Sequence, residues 1–199
     1  MIVITNPIPI TNEIDTIHSL FENGLELLHI RKPDFSEEEM KAFLLKIGLK
    51  YKDRLVLHQH HQLAEAFEIN RIHFTEKMRN ETSKEKLKFW KEKIFHLSTS
   101  IHKMEDFNFL GNVFEYAFLS PVFPSISKEN YLPKYDFTVE IKKRINFTTR
   151  FVALGGISSE NIHQALAFGF DDVALLGTIW NNNKPIENFE QCQQNALSY

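Results

Sequence analysis

Residues 151–180 read FVALGGISSENIHQALAFGFDDVALLGTIW, and the order of residue types in this stretch decides the fold class. An apolar run ends in Gly155-Gly156, an amphipathic segment opens at Ser158-Ser159, and a second apolar run ends near Leu176-Gly177. The unit is strand, loop, helix, strand, with a glycine site where each strand stops. Glycine there lets backbone N–H groups approach an anion closely, because no Cβ intervenes. In a (β/α)8 barrel the loops after the seventh and eighth strands form the usual phosphate site. A small barrel acting on a phosphorylated compound is the expectation this stretch sets.

Outward from it, the same unit repeats. Met1–Thr5 is a strand stopped by Asn6-Pro7 and Pro9. Asn12 is the expected N-cap of a helix burying Ile14, Ile17, Leu20 and Phe21, closed by Gly24. Leu25–Lys32 is a strand, and Ser36 with Glu39 forms a capping box for a helix with Met40, Phe43, Leu44 and Ile47 on one face. Strands follow at Leu55–His58, Arg71–Thr75, Ile94–Ser100 and Tyr116–Phe123. Helices fall at Gln62–Phe67, Ser83–Lys91, near Met104–Leu110 and at Phe137–Ile145. Eight apolar runs alternating with amphipathic segments predict one α/β domain over 1–199 with a parallel sheet and helical crossovers. The count of eight fits a single closed (β/α)8 TIM barrel, and an open doubly wound sheet also satisfies the pattern. The longest irregular stretch, Pro124–Asp136, follows strand six and is a candidate lid.

A chain of 199 residues with 43% hydrophobic content buries a full core. The net charge of −3 is spread over both signs, which excludes the concentrated basic face of a nucleic-acid binder. The basic run Lys84–Lys93 reads as the solvated side of one helix. Cys192 is the single cysteine, so no internal disulfide forms, and a reducing cytoplasm is expected. It lies in a polar tail and is expected to be inert. No apolar stretch approaches the roughly 18 residues of a bilayer span, so no membrane partner is expected. The N-terminus reads as a first strand, not a signal peptide. The composition leaves a homo-oligomer open.

Four strand ends carry groups that do not suit a core. His29-Ile30-Arg31-Lys32 ends strand two, and alternation puts His29 and Arg31 on one face. The guanidinium offers a planar fork for phosphate or carboxylate, and a buried structural ion pair is the alternative. His58-Gln59-His60-His61 ends strand three; paired histidines suit zinc or iron, yet no Asp, Glu or Cys nearby completes a ligand spacing. No metal is expected there, and histidines starting a surface helix account for the run. His73 lies inside strand four, while Ser100 and His102 follow strand five. A single histidine is more often structural than catalytic, but several at successive strand ends shift that balance. Ser120-Pro121-Val122-Phe123-Pro124-Ser125-Ile126-Ser127-Lys128 brings hydroxyls and an ammonium together after strand six. That is either an anion-binding claw or an ordinary turn.

Taken in order, the strand-two, strand-five and strand-six motifs, Ala153-Leu154-Gly155-Gly156-Ile157 and Val173-Ala174-Leu175-Leu176-Gly177-Thr178-Ile179 resemble the thiamin phosphate synthase and TenI family. The resemblance implies a (β/α)8 barrel acting on the phosphorylated thiazole of thiamin biosynthesis. It implies that the backbone of Gly155, Gly156, Leu176 and Gly177 holds the thiazole phosphate. Arg31, Ser100, Ser125, Ser127 and Lys128 would then face the diphosphate or pyrimidine. Where the synthases carry magnesium-binding aspartates, this chain has His58-Gln59 and Thr75-Glu76-Lys77-Met78. Pro33 replaces a basic residue after strand two. The TenI branch also lacks those carboxylates, and its active members move protons in a thiazole carboxylate phosphate. Their histidine falls at Pro121 here, so His29, His58 and His102, in that order, are the candidate acid/base groups.

The first expectation is therefore a cofactor-free, thiazole tautomerase-like isomerase. The second is a divergent synthase, a transferase using magnesium with Arg31, Lys32 and Lys128 supplying part of the positive charge. The third is a protein that binds thiazole phosphate without catalysis.

Overall fold

The computed structural model describes residues 1–93, 95–124 and 137–199. Ser125, Ser127, Lys128 and nearly all of the candidate lid lie outside them. Strands β1 (Ile2–Ile4), β2 (Leu27–Ile30), β3 (Leu55–Leu57), β4 (Arg71–Phe74), β5 (His96–Ile101), β6 (Tyr116–Leu119), β7 (Arg150–Leu154) and β8 (Asp172–Leu175) are all parallel. They close in sequence order, with β1 also pairing β8. The open sheet is thereby excluded, and the barrel holds.

Helices α1 (Glu13–Glu22), α2 (Glu37–Ile47), α3 (Leu63–Ala66), α4 (Glu76–Glu81) and α5 (Lys84–Glu92) connect the first five strands. Then come α6 (Met104–Asn108), α7 (Phe137–Glu140), α8 (Ile162–Phe168), α9 (Gly177–Trp180) and α10 (Pro185–Leu197). Alternation along each strand divides the apolar residues into two shells. One lies between sheet and helices, with Val3, Leu28, Ile30, Leu57, Ala117, Phe151 and Val173 facing the helical residues. The other fills the barrel and contains Ile2, Ile4, Tyr116, Phe118, Val152 and Ala174.

Local signals hold to different degrees. Ser36 and Glu39 form the capping box, and Met40, Phe43, Leu44 and Ile47 are the buried face of α2. Asn12 precedes α1, but its side chain caps nothing. A capping side chain works from extended dihedrals, and Asn12 is left-handed at φ 59°. Ile14 is only partly buried.

Three helices were not expected: α4, α9 and α10. Helix α4 begins at Thr75, whose hydroxyl accepts from the Met78 amide. Helix α10 corrects the polar-tail expectation for Cys192. Pro185 opens it, and Ile186, Phe189, Cys192 and Ala196 make an apolar stripe against the core. Such a stripe suffices to dock a helix whose average composition is polar. Cys192 is fully buried, and burial pushes its thiol up to about 11, so it stays protonated at neutral pH. No helix of the described residues is long and apolar enough to cross a membrane.

Candidate active site

A cavity of about 470 Å³ opens at the C-terminal mouth of the barrel, and residues on or just after all eight strands line it. Arg31, His58, Ser100 and His102 are on its wall, with Gly155, Gly156, Leu176 and Gly177. By strand order β3 stands opposite β7, so His58 faces the double glycine across the mouth.

The glycines permit close packing of the backbone. Gly155 and Gly156 have φ of 92° and 69°. A Cβ on Gly156 would lie 2.3 Å from the Pro124 carbonyl oxygen, and one on Gly155 would lie 2.9 Å from Pro121 Cα. The strand-six segment therefore packs directly on this turn. The Val122 and Phe123 amides donate to the Leu154 and Gly155 carbonyls, each at 3.0 Å. Among the described residues no carbonyl accepts from the Gly155, Gly156 or Gly177 amides. That stretch of wall can donate to an anion.

Arg31 is positioned through its backbone. Its amide donates to Thr5 Oγ1 at 2.9 Å, and the Thr5 hydroxyl donates to its carbonyl at 3.2 Å. Among the described residues no carboxylate pairs with the guanidinium, which leaves its fork for a ligand. Lys32 points the other way, as alternation requires. It is fully buried, with Nζ 2.6 and 2.7 Å from the Glu13 carboxylate and lying over the Phe43 ring. Lys32 is thus removed from the charges expected to meet a diphosphate.

His102 is half-exposed; its Nδ1–H donates to the Ser120 carbonyl at 2.7 Å, and Nε2 lies 3.9 Å from Glu76. Glu76 is the one carboxylate on the wall among the described residues, and the Arg79 guanidinium also lies 3.8 Å from it. A magnesium ion commonly rests on one or two carboxylates besides substrate phosphates. A single carboxylate shared with Arg79 and His102, beside Lys77, is a poor fit.

The histidines are organised below the mouth. His29 is fully buried inside the barrel and does not line the cavity. Its Nδ1 lies 2.8 Å from His58 Nε2, and its Nε2 lies 2.7 Å from the Tyr116 hydroxyl. His58 reaches the wall in its place and is 5% exposed. Its Nδ1 is buried with no hydrogen-bond partner. His73 Nδ1 and Nε2 lie 2.9 and 2.8 Å from the Ser98 and Ser100 hydroxyls.

Desolvation is the first cause holding His29 and His58 well below the ordinary imidazole range, and the other histidines and the Arg71 or Arg31 guanidinium add to it. Burial likewise lowers His73 to about 3. All three are therefore neutral at pH 7. Simple cycling of His29 or His58 between imidazole and imidazolium near neutrality, the reason for choosing them from the sequence, does not suit this interior.

His29, His58 and His73 offer nitrogens within 4.8 Å of one another, the span of a metal site. However, His58 stacks on His73 with ring centroids 4.1 Å apart and 23° between planes. Lone pairs in nearly parallel rings do not converge on one point, and serines occupy both His73 nitrogens. Hydrogen bonding organises the group instead. His61 Nε2 lies 3.1 Å from the His73 carbonyl oxygen.

Tyr116, Ser98 and His73 were not among the expected site residues. Their signal was available in the strands: His73, Ser98 and Tyr116 are successive partners across β4, β5 and β6. Polar residues at interior positions of adjacent strands meet once the register is known.

A closed parallel (β/α)8 barrel whose C-terminal mouth carries, among the described residues, amides without a carbonyl partner, a guanidinium without a carboxylate and hydrogen-bonded histidines defines the class: a small TIM barrel with a polar cavity at its strand ends. The match to the thiamine monophosphate synthase family model runs over residues 1–179, and the chain belongs to that family. It is 27% identical over 170 residues to a thiamine-phosphate synthase of Dictyoglomus turgidum, covering 83% of this chain and 75% of the relative. A thiamine-phosphate synthase of Salmonella typhimurium is 26% identical over 180 residues, covering 86% and 82%. Among solved structures, thiamine phosphate pyrophosphorylase from Bacteroides thetaiotaomicron superposes with a TM-score of 0.78 at 27% identity, covering 98% of this chain and 96% of that one.

Proposed function

We propose that this barrel binds a thiazole phosphate and catalyses a metal-independent proton transfer on it, as a thiazole tautomerase does. The observation that carries this is His58 Nδ1, a buried nitrogen without a partner on the wall opposite Gly155 and Gly156. A ligand whose phosphate meets the Gly155, Gly156 and Gly177 amides extends its ring toward that nitrogen. Arg31 supplies the fork for a ring carboxylate. Burying an unpaired nitrogen is costly in a protein interior, and a ligand proton is the partner that relieves it. Proton transfer by a positioned side chain accelerates such reactions by about 10²- to 10⁴-fold.

A second reading is a divergent synthase joining a pyrimidine diphosphate to thiazole phosphate, with magnesium. The names of the relatives favour it, and so does Arg31, whose guanidinium meets no carboxylate among the described residues and would neutralise a leaving pyrophosphate. The isolated Glu76 speaks against it. One pair of assays separates them. The purified chain is given thiazole carboxylate phosphate with a chelator, and thiazole phosphate plus pyrimidine diphosphate with and without magnesium. Tautomerisation that survives chelation and is lost in His58→Ala is expected. Magnesium-dependent thiamin phosphate formation would install the synthase, and binding without turnover in either assay would leave a non-catalytic thiazole-phosphate protein.

A further inference from the structure

One carboxylate and one half-exposed imidazole stand together at the cavity mouth, apart from the buried histidines. His102, just after β5, and Glu76, the first residue of α4, both line the cavity. His102 Nδ1 lies 2.7 Å from the Ser120 carbonyl oxygen. A carbonyl can only accept, so Nδ1 carries the hydrogen and the free lone pair falls on Nε2. That nitrogen lies 3.9 Å from Glu76 Oε2, near enough for attraction between charges and too far for a hydrogen bond. Glu76 is held in turn by Arg79, one turn along α4 and 3.8 Å away. The Arg79 guanidinium donates to the Thr99 hydroxyl at 3.1 Å and to the Ser100 carbonyl at 2.7 Å. The pair is thereby pinned to the tips of β5 and β6.

Proton transfer on a bound ring needs a group that carries a charge between the two halves of the step. His58 touches the cavity but is 5% exposed, and desolvation keeps it neutral. His102 has half of its side chain in water, and Glu76 is the one carboxylate within 4.0 Å of it among the described residues. Two cations share that wall: Lys77, which is largely in solvent, and Arg79, which is engaged with β5. Strand β5 lies two strands from β3 and two from β7. His102 therefore stands beside a ligand stretched between the double glycine and His58, not at either end of it.

We propose that His102 is the catalytic acid/base of this site, that Glu76 is its positioning residue, and that His58 binds the ligand by hydrogen bonding alone. The proposal rests on the proton-transfer reading of the site. The bond from the substrate to its departing proton breaks, and its electron pair stays in the conjugated ring system. The His102 Nε2 lone pair takes the proton. The imidazolium so formed has one N–H on the Ser120 carbonyl and the other beside the Glu76 carboxylate, the partners that a cation at this place requires. Nε2–H then gives the proton to a second atom of the substrate, and the imidazole is neutral again. One proton leaves the substrate and one returns, with no metal and no electron transfer. Because Nε2 is open to water, the proton exchanges with solvent between the two halves. His102 touches the substrate, and Glu76 acts through it.

The test follows solvent deuterium into thiazole carboxylate phosphate. In His102→Ala, kcat for exchange is expected to fall by about 10²- to 10⁴-fold with KM unchanged. Added imidazole is expected to restore part of that rate, which also shows that the variant is folded. Glu76→Gln keeps the side-chain shape and removes the charge; kcat is expected to fall about 10-fold, again with KM unchanged. In ¹⁵N-histidine spectra of the ligand-free protein at alkaline pH, His102 is expected as the Nδ1–H tautomer. Exchange that persists in His102→Ala, a rise in KM alone in either variant, or the Nε2–H tautomer of His102 would each overturn the proposal and leave the tautomerase reading standing. A wild-type chain that exchanges no substrate protons would overturn both.

Discussion

The inside of this barrel has two unlike halves. Strands β2 to β5 contribute His29, His58, His73, Ser98 and Ser100, whereas β6 to β8 and β1 contribute Phe118, Val152, Leu154, Ala174, Ile2 and Ile4. Tyr116 stands on the boundary, its ring packed on Phe118 and its hydroxyl turned to His29. One half is held by directional hydrogen bonds, the other by close packing. The difference sorts the lining: the apolar strands carry the amide wall at their tips, and the polar strands carry the hydrogen-bonded imidazoles and hydroxyls.

The largest effect that would break this comparison is on acid stability. His29, His58 and His73 are neutral in the fold, with pKa values depressed below 6.5, to about 3 for His73. The unfolded chain takes up protons first as pH falls below about 6.5, so their contribution to stability is complete above that pH and is lost below it. The loss reaches about 1.4 kcal/mol per pH unit for each histidine and continues until its folded pKa. Urea denaturation at pH 7.5, 6 and 5 measures it. A midpoint independent of pH would mean that the polar half is not held neutral.

Next in size is a cavity in the apolar half. Ile2 is 1% exposed within the barrel, and Ile2→Ala is expected to cost about 2–5 kcal/mol by denaturant unfolding. A loss under about 1 kcal/mol would show that this half collapses freely and does not brace the polar one. Gly156→Ala tests the seam with the strand-six segment. Its left-handed backbone and the 2.3 Å approach to Pro124 predict a loss of about 1–3 kcal/mol, with weaker phosphate binding by calorimetry. Unchanged stability and affinity would mean that this turn is not shaped by the contact. The smallest effect is expected from Ser98→Ala, about 1 kcal/mol for one hydrogen bond. Because Ser98 holds His73 Nδ1 from the neighbouring strand, an unchanged urea midpoint in this variant would mean that the bond does not brace the polar half.

Much of the architecture was legible from periodicity. Eight apolar runs mark eight strands, and the Ser36–Glu39 box marks the start of α2, because these signals are local. Helix α10 escaped because its apolar stripe is thin, and α4 because Thr75-Glu76-Lys77-Met78 was weighed only as the counterpart of a metal-binding segment. At the site, Arg31, His58, Ser100, His102 and the glycines were identified by their places at strand ends, and the cavity brings them together. His29 was ranked first and lies one layer too deep. Lys32 was counted as a free charge and is buried against Glu13, a partner 19 residues away that no local pattern reveals.

By itself the sequence determined which segments are strands, that eight of them alternate with helices, and which polar residues stand near strand ends. These follow from side-chain period and from glycine and proline chemistry, which act over a few residues. Only the closed barrel decided that β4, β5 and β6 align His73, Ser98 and Tyr116, that His58 lacks a partner at Nδ1, and that burial keeps the imidazoles neutral. Register and desolvation arise when distant strands are brought within hydrogen-bond reach and water is expelled between them, and neither is written in any one segment.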